Sequence, residues 1–152
     1  MKYTSIKKCK KLAKEIFIVP PKLKRKKTWF YFPEKELIWI AKKDPSTEEE
    51  QAINLQYFQD LTNTKFSLFT YSFLHELGHY NADLLEEATD EEVEENNNYF
   101  ETILMGLKLS LINYKEALEL YYQEDSELKA NEFVIEIINS CFNSIYYFDD
   151  NL

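Results

Sequence analysis

Histidine and cysteine are scarce in this chain of 152 residues, which contains two of each. The two cysteines, Cys9 and Cys141, lie far apart and form no CxxC or CxxH spacing. This arrangement excludes a disulfide framework and a thiolate zinc site, so we expect two ordinary thiols. Internal repeats and low-complexity linkers are absent as well. The length fits one domain, predicted to span residues 1–152.

The sequence also lacks a long apolar run without charge. The first apolar run, residues 16–19, is bounded by Lys14, Glu15 and Pro20, which makes it too short and too charged for a signal-peptide core. No later stretch reaches membrane-spanning length without a charged residue. We therefore expect a cytoplasmic protein with no membrane contact.

An excess of positive charge is missing too, since the formal net charge is −9 and the pI is about 4.8. Binding to nucleic acid needs a dominant positive field, so nucleic acid is not expected to be the main partner. The charge is nevertheless uneven, because eleven of the 18 Lys and Arg residues lie in residues 1–27 beside one acid, Glu15. This basic N-terminal helix or arm either contacts an acidic partner or is solvated against the protein's own acidic surface.

Apolar residues are abundant, at 45% of the chain with 16% aromatics, as expected of a folded protein. Periodicity predicts a peripheral helix over residues 4–17 and a hairpin of two strands, 28–32 and 37–42. No other strand is predicted. We expect a mainly helical α+β domain, in which this small hairpin or sheet lies beside the helix that carries the chemistry.

Helical patterns account for most of the remaining chain. The spacing of Ser46 and Glu49 predicts a capping box for a helix that ends near Leu61. After a break at residues 62–64, apolar positions from Phe66 to Tyr80 mark one face of a second helix. Further helices are predicted after the acidic stretch 86–98 and from residue 114 onward, with a break near residues 125 and 126.

The sequence HELGH, residues 75–79, lies inside the second predicted helix. Positions four apart share one helical face, so His75 and His79 can both bind one tetrahedral zinc ion at about 2.0–2.1 Å. Glu76 is turned by about 100° along the helix, which places it beside the metal as a general base for a water molecule. A chance occurrence is the alternative, but these are the chain's only histidines and both fall in the motif.

A hydrolytic zinc site usually has three protein ligands and one water. Because no histidine remains, the third ligand must be a carboxylate or a water, and Ala82 and Leu85 exclude the extended HExxHxxGxxH motif. Glu127 is favoured because Asn131 follows on the same helical face, where it can hydrogen-bond a ligand histidine. Five rival acids stay open: Glu86, Glu87, Glu124, Asp125 and Glu132.

HELGH followed by ELKANEF at residues 127–133 resembles the ImmA/IrrE family of bacterial and phage metallopeptidases, part of the gluzincin group. In that family HExxH precedes an E-x-x-A-[ND]-x-F pattern. The resemblance implies a gluzincin-like fold, with zinc held by His75, His79 and Glu127. It also implies Glu76 as the catalytic base and Asn131 as the hydrogen-bond partner of a ligand histidine.

Members of this family characteristically cleave a transcriptional repressor, often encoded on the same mobile element. The resemblance therefore implies a zinc-dependent endopeptidase that acts on a regulatory protein of a phage or mobile element. Two departures stand out, namely a longer interval between His79 and Glu127 and the residues at positions 137–139, which replace the family's apolar ending.

Several alternatives remain open from the sequence. The oxyanion needs a second donor, and the candidate tyrosines cannot be ranked: Tyr71, Tyr80, Tyr121 and Tyr122. The hairpin edge either pairs with an extended substrate or only covers the core, in which case Trp29, Tyr31 and Trp39 are packing residues. The rival class is a non-catalytic zinc-containing protein that regulates a partner by docking. Metal-assisted hydrolysis of a substrate other than peptide ranks last.

Overall fold

Seven helices and a three-stranded sheet form the part of the chain described in the computed structural model, residues 2–152, with side chains from Ile6 onward. In chain order the elements are α1 (Lys2–Ile16), β1 (Lys22–Lys26), β2 (Phe30–Phe32), β3 (Leu37–Ala41), α2 (Glu48–Thr62), α3 (Leu68–Leu85), α4 (Asp90–Lys108), α5 (Tyr114–Tyr121), α6 (Asp125–Ser140) and α7 (Phe142–Asp150). The predicted mainly helical α+β class is confirmed. Within these residues no helix combines the length and the apolar character needed to cross a membrane.

The sheet has the strand order β1-β3-β2. Strands β2 and β3 pair antiparallel with Phe30 opposite Trp39, which confirms the predicted hairpin. Strand β1 pairs parallel with β3, with Leu23 opposite Ile38, and the expectation of two strands alone was wrong. The sequence of β1, KLKRK, does not indicate a strand, because four of its five residues are charged. Its partner lies on a different chain segment, so no local pattern marks the pairing.

Helix α1 contributes its apolar face to the core, whereas a peripheral position was expected. Cys9, Leu12 and Ala13 are buried, with exposures of 2% or less. Of the α1 lysines whose side chains are described, Lys8 is half-buried and the others, Lys7, Lys10, Lys11 and Lys14, are exposed, as in an amphipathic helix packed on one side. Because β1 also pairs within the sheet, the basic segment forms an integral part of the fold.

Helix α2 begins one residue later than predicted. The capping box is formed by Thr47 and Glu50, because each side chain hydrogen-bonds the backbone N–H of the other. The backbone N–H of Ser46 instead donates to the Asp44 carboxylate at 2.9 Å, so Ser46 belongs to the preceding turn. The break predicted at residues 62–64 lies at residues 63–67, because Thr62 still belongs to α2 and Phe66 precedes α3. The break predicted near residues 125 and 126 lies just before them, at residues 122–124.

Helix α3 is the centre of the molecule. It contacts α2, α6 and α7 as well as strands β2 and β3. Its buried residues lie around most of its circumference: Thr70, Tyr71, Phe73, Leu74, His75, Leu77, Gly78 and Tyr80. A helix buried on so much of its surface is held rigidly by its neighbours. The HELGH motif therefore lies on a rigid helix in the core.

The first turn of α3 is joined to α7 through one carboxylate. Asp149 Oδ1 accepts hydrogen bonds from the Ser67 backbone N–H at 2.9 Å, the Ser67 hydroxyl at 2.8 Å and the Thr70 hydroxyl at 2.5 Å. Ser67 is the N-cap of α3. A negative charge at this helix end also interacts favourably with the helix dipole.

We expect Asp149→Ala to lower the free energy of unfolding by about 2–3 kcal/mol, because three donors lose a charged acceptor. Urea denaturation followed by circular dichroism measures the change. Asp150→Ala is the matched control, since Asp150 is exposed and should leave stability unchanged. Equal effects of the two substitutions would show that the hydrogen bonds of Asp149 are not important.

Candidate metal centre

Two helices bring the three predicted zinc ligands together. His75 and His79 lie one turn apart on α3, and both direct Nε2 toward the same carboxylate oxygen of Glu127 on α6. The distances to Glu127 Oε2 are 2.7 Å from His75 and 3.0 Å from His79. Among the residues that the structure describes, these three form the one His, Cys, Asp or Glu cluster suited to a metal ion.

The approach of α6 to α3 depends on a glycine. A Cβ atom built on Gly78 would lie 2.6 Å from the carbonyl oxygen of Ala130 and 2.8 Å from its Cα. These separations are too short for any side chain, and the atoms in the way belong to backbone, which cannot rotate aside. The backbones therefore pack directly at this point, with His79 and Asn131 each one residue beyond it.

Asn131 holds His75 from behind the site. His75 Nδ1 lies 2.7 Å from Asn131 Oδ1, and both side chains are buried. Because an amide oxygen only accepts, His75 donates through Nδ1–H, and its Nε2 is the nitrogen that faces Glu127. This is the geometry expected of a ligand histidine with an outer hydrogen-bond partner.

Aromatic side chains surround the polar cluster. The rings of Phe58 and Tyr122 pack on His75, with centroids 6.2 and 5.6 Å away. The ring of Tyr31 lies parallel to His79 at 6.5 Å. Glu127 is only 8% exposed. A carboxylate buried among aromatic rings interacts more strongly with its partners than one in water would.

Mutual charge interactions set the protonation of the metal-free cluster. Burial opposes ionisation of Glu127, but hydrogen bonds from His75 and His79 outweigh it and hold the pKa of Glu127 well below its usual range. Burial opposes protonation of His79 and so lowers its pKa. The hydrogen bond to Glu127 and the negative charge of Glu127 outweigh burial and raise the pKa of His79 to about 9. Burial raises the pKa of Glu76, partly offset by both histidines. Glu76 is therefore electrostatically part of this cluster.

The donor set fits a tetrahedral zinc ion. Two imidazole nitrogens and one carboxylate oxygen are ordinary zinc ligands, and here they lie within 4.8 Å of one another. Ligands at about 2.0–2.1 Å from a tetrahedral metal are about 3.3 Å apart. The present spacings of 2.7 and 3.0 Å to Glu127 would need to widen by only a few tenths of an ångström.

The rival acids have other surroundings. Glu124 is the N-cap of α6, where it accepts from the backbone N–H groups of Ser126 and Glu127. Asp125 forms a surface ion pair with Lys129 at 3.0 Å. The remaining rivals, Glu86, Glu87 and Glu132, do not join the cluster of His75, His79 and Glu127.

Of the four candidate tyrosines, Tyr121 reaches the site. Its hydroxyl donates to Glu127 Oε1 at 2.5 Å. The other hydroxyls bond elsewhere, Tyr71 with Thr64, Tyr80 with the Val19 carbonyl and Tyr122 with the Asn54 amide oxygen.

Sequence reasoning missed the pair of Tyr31 and Asp83 beside His79. The Tyr31 hydroxyl donates to Asp83 Oδ2 at 2.8 Å, and burial together with this bond raises the pKa of Tyr31. Asp83 lies four residues after His79, so the helical spacing could have indicated it. Trp29 and Trp39 do pack against aromatic neighbours, Phe69 and the two phenylalanines of β2.

No model of a known protein family, no curated protein and no solved structure matches this chain. The interpretation of the centre therefore depends on its own geometry.

We expect Gly78→Ala to lower the free energy of unfolding by about 1–3 kcal/mol and to weaken any metal binding at the cluster, because α6 must move away from α3. An exposed helical glycine would instead gain about 1 kcal/mol from the same change. Gly106→Ala is the control, since its Cβ would meet only side-chain atoms of Ile112, at 3.2 Å, and no backbone. Urea denaturation measures stability, and a Gly78→Ala protein as stable as wild type would contradict the close packing.

The metal-free protein should lose stability as pH rises through about 9, the pKa of His79. Since the folded pKa exceeds the ordinary value of about 6.5, the ion pair stabilises fully below pH 6.5 and is lost above pH 9. The loss should be about 2–3 kcal/mol between roughly pH 7 and pH 10. Denaturation at both values, with His79→Gln as control for other titrating groups, measures it. Identical pH profiles of the two proteins would rule out the ion pair.

Proposed function

We propose that this chain is a zinc-dependent endopeptidase. The observation that carries the proposal is the convergence of His75, His79 and Glu127, with Glu76 interacting electrostatically with all three. A structural zinc site is normally closed by four protein ligands, whereas three ligands leave one position for water or substrate. Three ligands with an adjacent carboxylate therefore favour catalysis over a purely structural role.

The proposed reaction is hydrolysis of a peptide bond by water. When bound, zinc supplies a Lewis acid that polarises the peptide carbonyl and acidifies water. Glu76 takes the proton from the attacking water on its carboxylate and passes it to the leaving amine nitrogen.

The position of β2 supports an extended polypeptide as the substrate. Strand β2 lies at the edge of the sheet, and its Tyr31 ring is parallel to His79. A peptide that added to this edge as a further strand would run past the cluster with its backbone held by hydrogen bonds. This arrangement favours a protein or peptide substrate over a small molecule.

The identity of the substrate follows only from the resemblance to the ImmA/IrrE family. We infer a regulatory protein, such as a transcriptional repressor of a phage or mobile element. We also infer a cytoplasmic location, because Cys9 and Cys141 are both free thiols, as is usual in a reducing compartment.

Elemental analysis of protein purified without added metal tests the ligand set. We expect one equivalent of zinc in wild type and in Glu76→Gln, and loss of zinc in His79→Ala and Glu127→Ala, since each removes one ligand. Absence of zinc from wild type after reconstitution would exclude the proposed function.

Hydrolysis is tested on a library of peptides derived from a bacterial proteome, with products identified by mass spectrometry. Glu76→Gln should keep its zinc and lower the cleavage rate by about 10²–10⁴-fold, because the general base is lost. The competing function is regulation by docking. A cellular effect on a regulator that survives Glu76→Gln unchanged would favour docking over catalysis.

A further inference from the structure

The two carboxylate oxygens of Glu127 have different partners. Oε2 lies 2.7 Å from His75 and 3.0 Å from His79, on the side where a metal ion would lie. Oε1 accepts the hydroxyl of Tyr121 at 2.5 Å. We propose that Tyr121 is a positioning residue, which holds Oε1 so that Glu127 presents the single oxygen Oε2 to zinc. This inference rests on the proposed function, because it needs the three ligands to bind metal.

A glutamate ligand needs such a partner because its carboxylate rotates easily. The terminal torsion of a glutamate side chain is broad and roughly two-fold, so either oxygen, or both, can face the metal. A hydrogen bond from a hydroxyl to a carboxylate is short and stronger than a neutral one. Tyr121 therefore favours one orientation of Glu127 over the others.

Tyr121 is itself held in place by α4. The hydroxyl of Tyr99 donates to the carbonyl oxygen of Leu120 at 2.9 Å, which fixes the backbone next to Tyr121. The ring of Phe100 packs against the ring of Tyr121 with centroids 5.7 Å apart. Helix α4 lies within the long interval between the two motifs. Through these two contacts α4 holds Tyr121 in place beside Glu127.

The same hydrogen bond argues against Tyr121 as the donor to the oxyanion. A tyrosine hydroxyl has one proton, and here that proton is directed to Glu127. Donation to a substrate oxygen would require breaking a bond to a buried carboxylate. The geometry therefore favours a role that acts through Glu127 over direct contact with the substrate.

Zinc affinity of Tyr121→Phe tests the proposal, measured by competition with a chromophoric chelator. The substitution keeps the ring and removes only the hydroxyl. We expect zinc binding weakened by about 10–100-fold, as for loss of other outer partners of metal ligands. Tyr122→Phe is the matched control, because its hydroxyl bonds Asn54 at 3.2 Å instead of Glu127. It should bind zinc as wild type does.

The visible spectrum of cobalt-substituted protein gives a second measurement. Cobalt absorption is sensitive to coordination number, so a change from one to two Glu127 oxygens should alter it in Tyr121→Phe and not in Tyr122→Phe. A merely structural hydroxyl would lower the unfolding temperature of the metal-free protein without changing this spectrum.

The outcomes separate the two proposals. Suppose that wild type binds zinc and that Tyr121→Phe has the same zinc affinity and the same cobalt spectrum. This result would overturn the positioning role of Tyr121 and leave the proposed function intact. Equal weakening in Tyr121→Phe and Tyr122→Phe would overturn it too, because the cause would be packing. Failure of wild type to bind zinc would overturn the proposed function itself.

Tyr99→Phe covers the case in which Tyr121→Phe does not fold. It removes the hydrogen bond to the Leu120 carbonyl and leaves Tyr121 intact. We expect weaker zinc binding in the same direction as for Tyr121→Phe, by a smaller factor. A folded Tyr99→Phe protein with wild-type zinc affinity and cobalt spectrum would count against the proposal.

Discussion

The backbones of α3 and α6 touch at Gly78 and Ala130, with no room for a Cβ atom between them. The polar residues are placed symmetrically about this contact. His75 and His79 lie three residues before and one residue after Gly78, and Glu127 and Asn131 have the same offsets from Ala130. One crossing point therefore fixes the relative positions of both pairs of side chains. Any change in the crossing distance moves all four groups at once, so the glycine sets the geometry of the cluster although it carries no functional group.

Burying these polar side chains costs free energy, and hydrogen bonds among them offset the cost. His75, Glu127 and Asn131 are each less than a tenth exposed. Isolated polar groups at such depth would destabilise the fold by several kcal/mol, whereas here histidines, carboxylate, amide and tyrosine satisfy one another. Among the residues that the structure describes, the buried Nδ2 of Asn131 has no hydrogen-bond partner of ordinary geometry, although its interaction with Tyr57 partly offsets the burial that raises the pKa of Tyr57. Retaining this amide is understandable because its oxygen orients His75.

The sequence predicts the part of the site that lies on single helices. The four-residue spacing of HELGH places both imidazoles on one face, and the same spacing links Glu127 to Asn131. It cannot rank Tyr121, because the turn between α5 and α6 decides which hydroxyl faces Glu127. The sequence does not predict β1 either, because its charged residues form a strand only by pairing with β3. The structural need for Gly78 is invisible until a second helix is placed against it.

Asp149 makes the start of the histidine helix depend on a distant part of the chain. The N-cap turn of α3 is completed by a residue about eighty positions later in the chain, through the Ser67 and Thr70 hydrogen bonds. Contacts of such sequence separation form late, because the intervening loop must close first. During synthesis the histidine helix would emerge from the ribosome long before α7 does. Until α7 packs in place, the hydroxyls of Ser67 and Thr70 lack this charged acceptor, so the start of the histidine helix is fully hydrogen-bonded only in the complete fold.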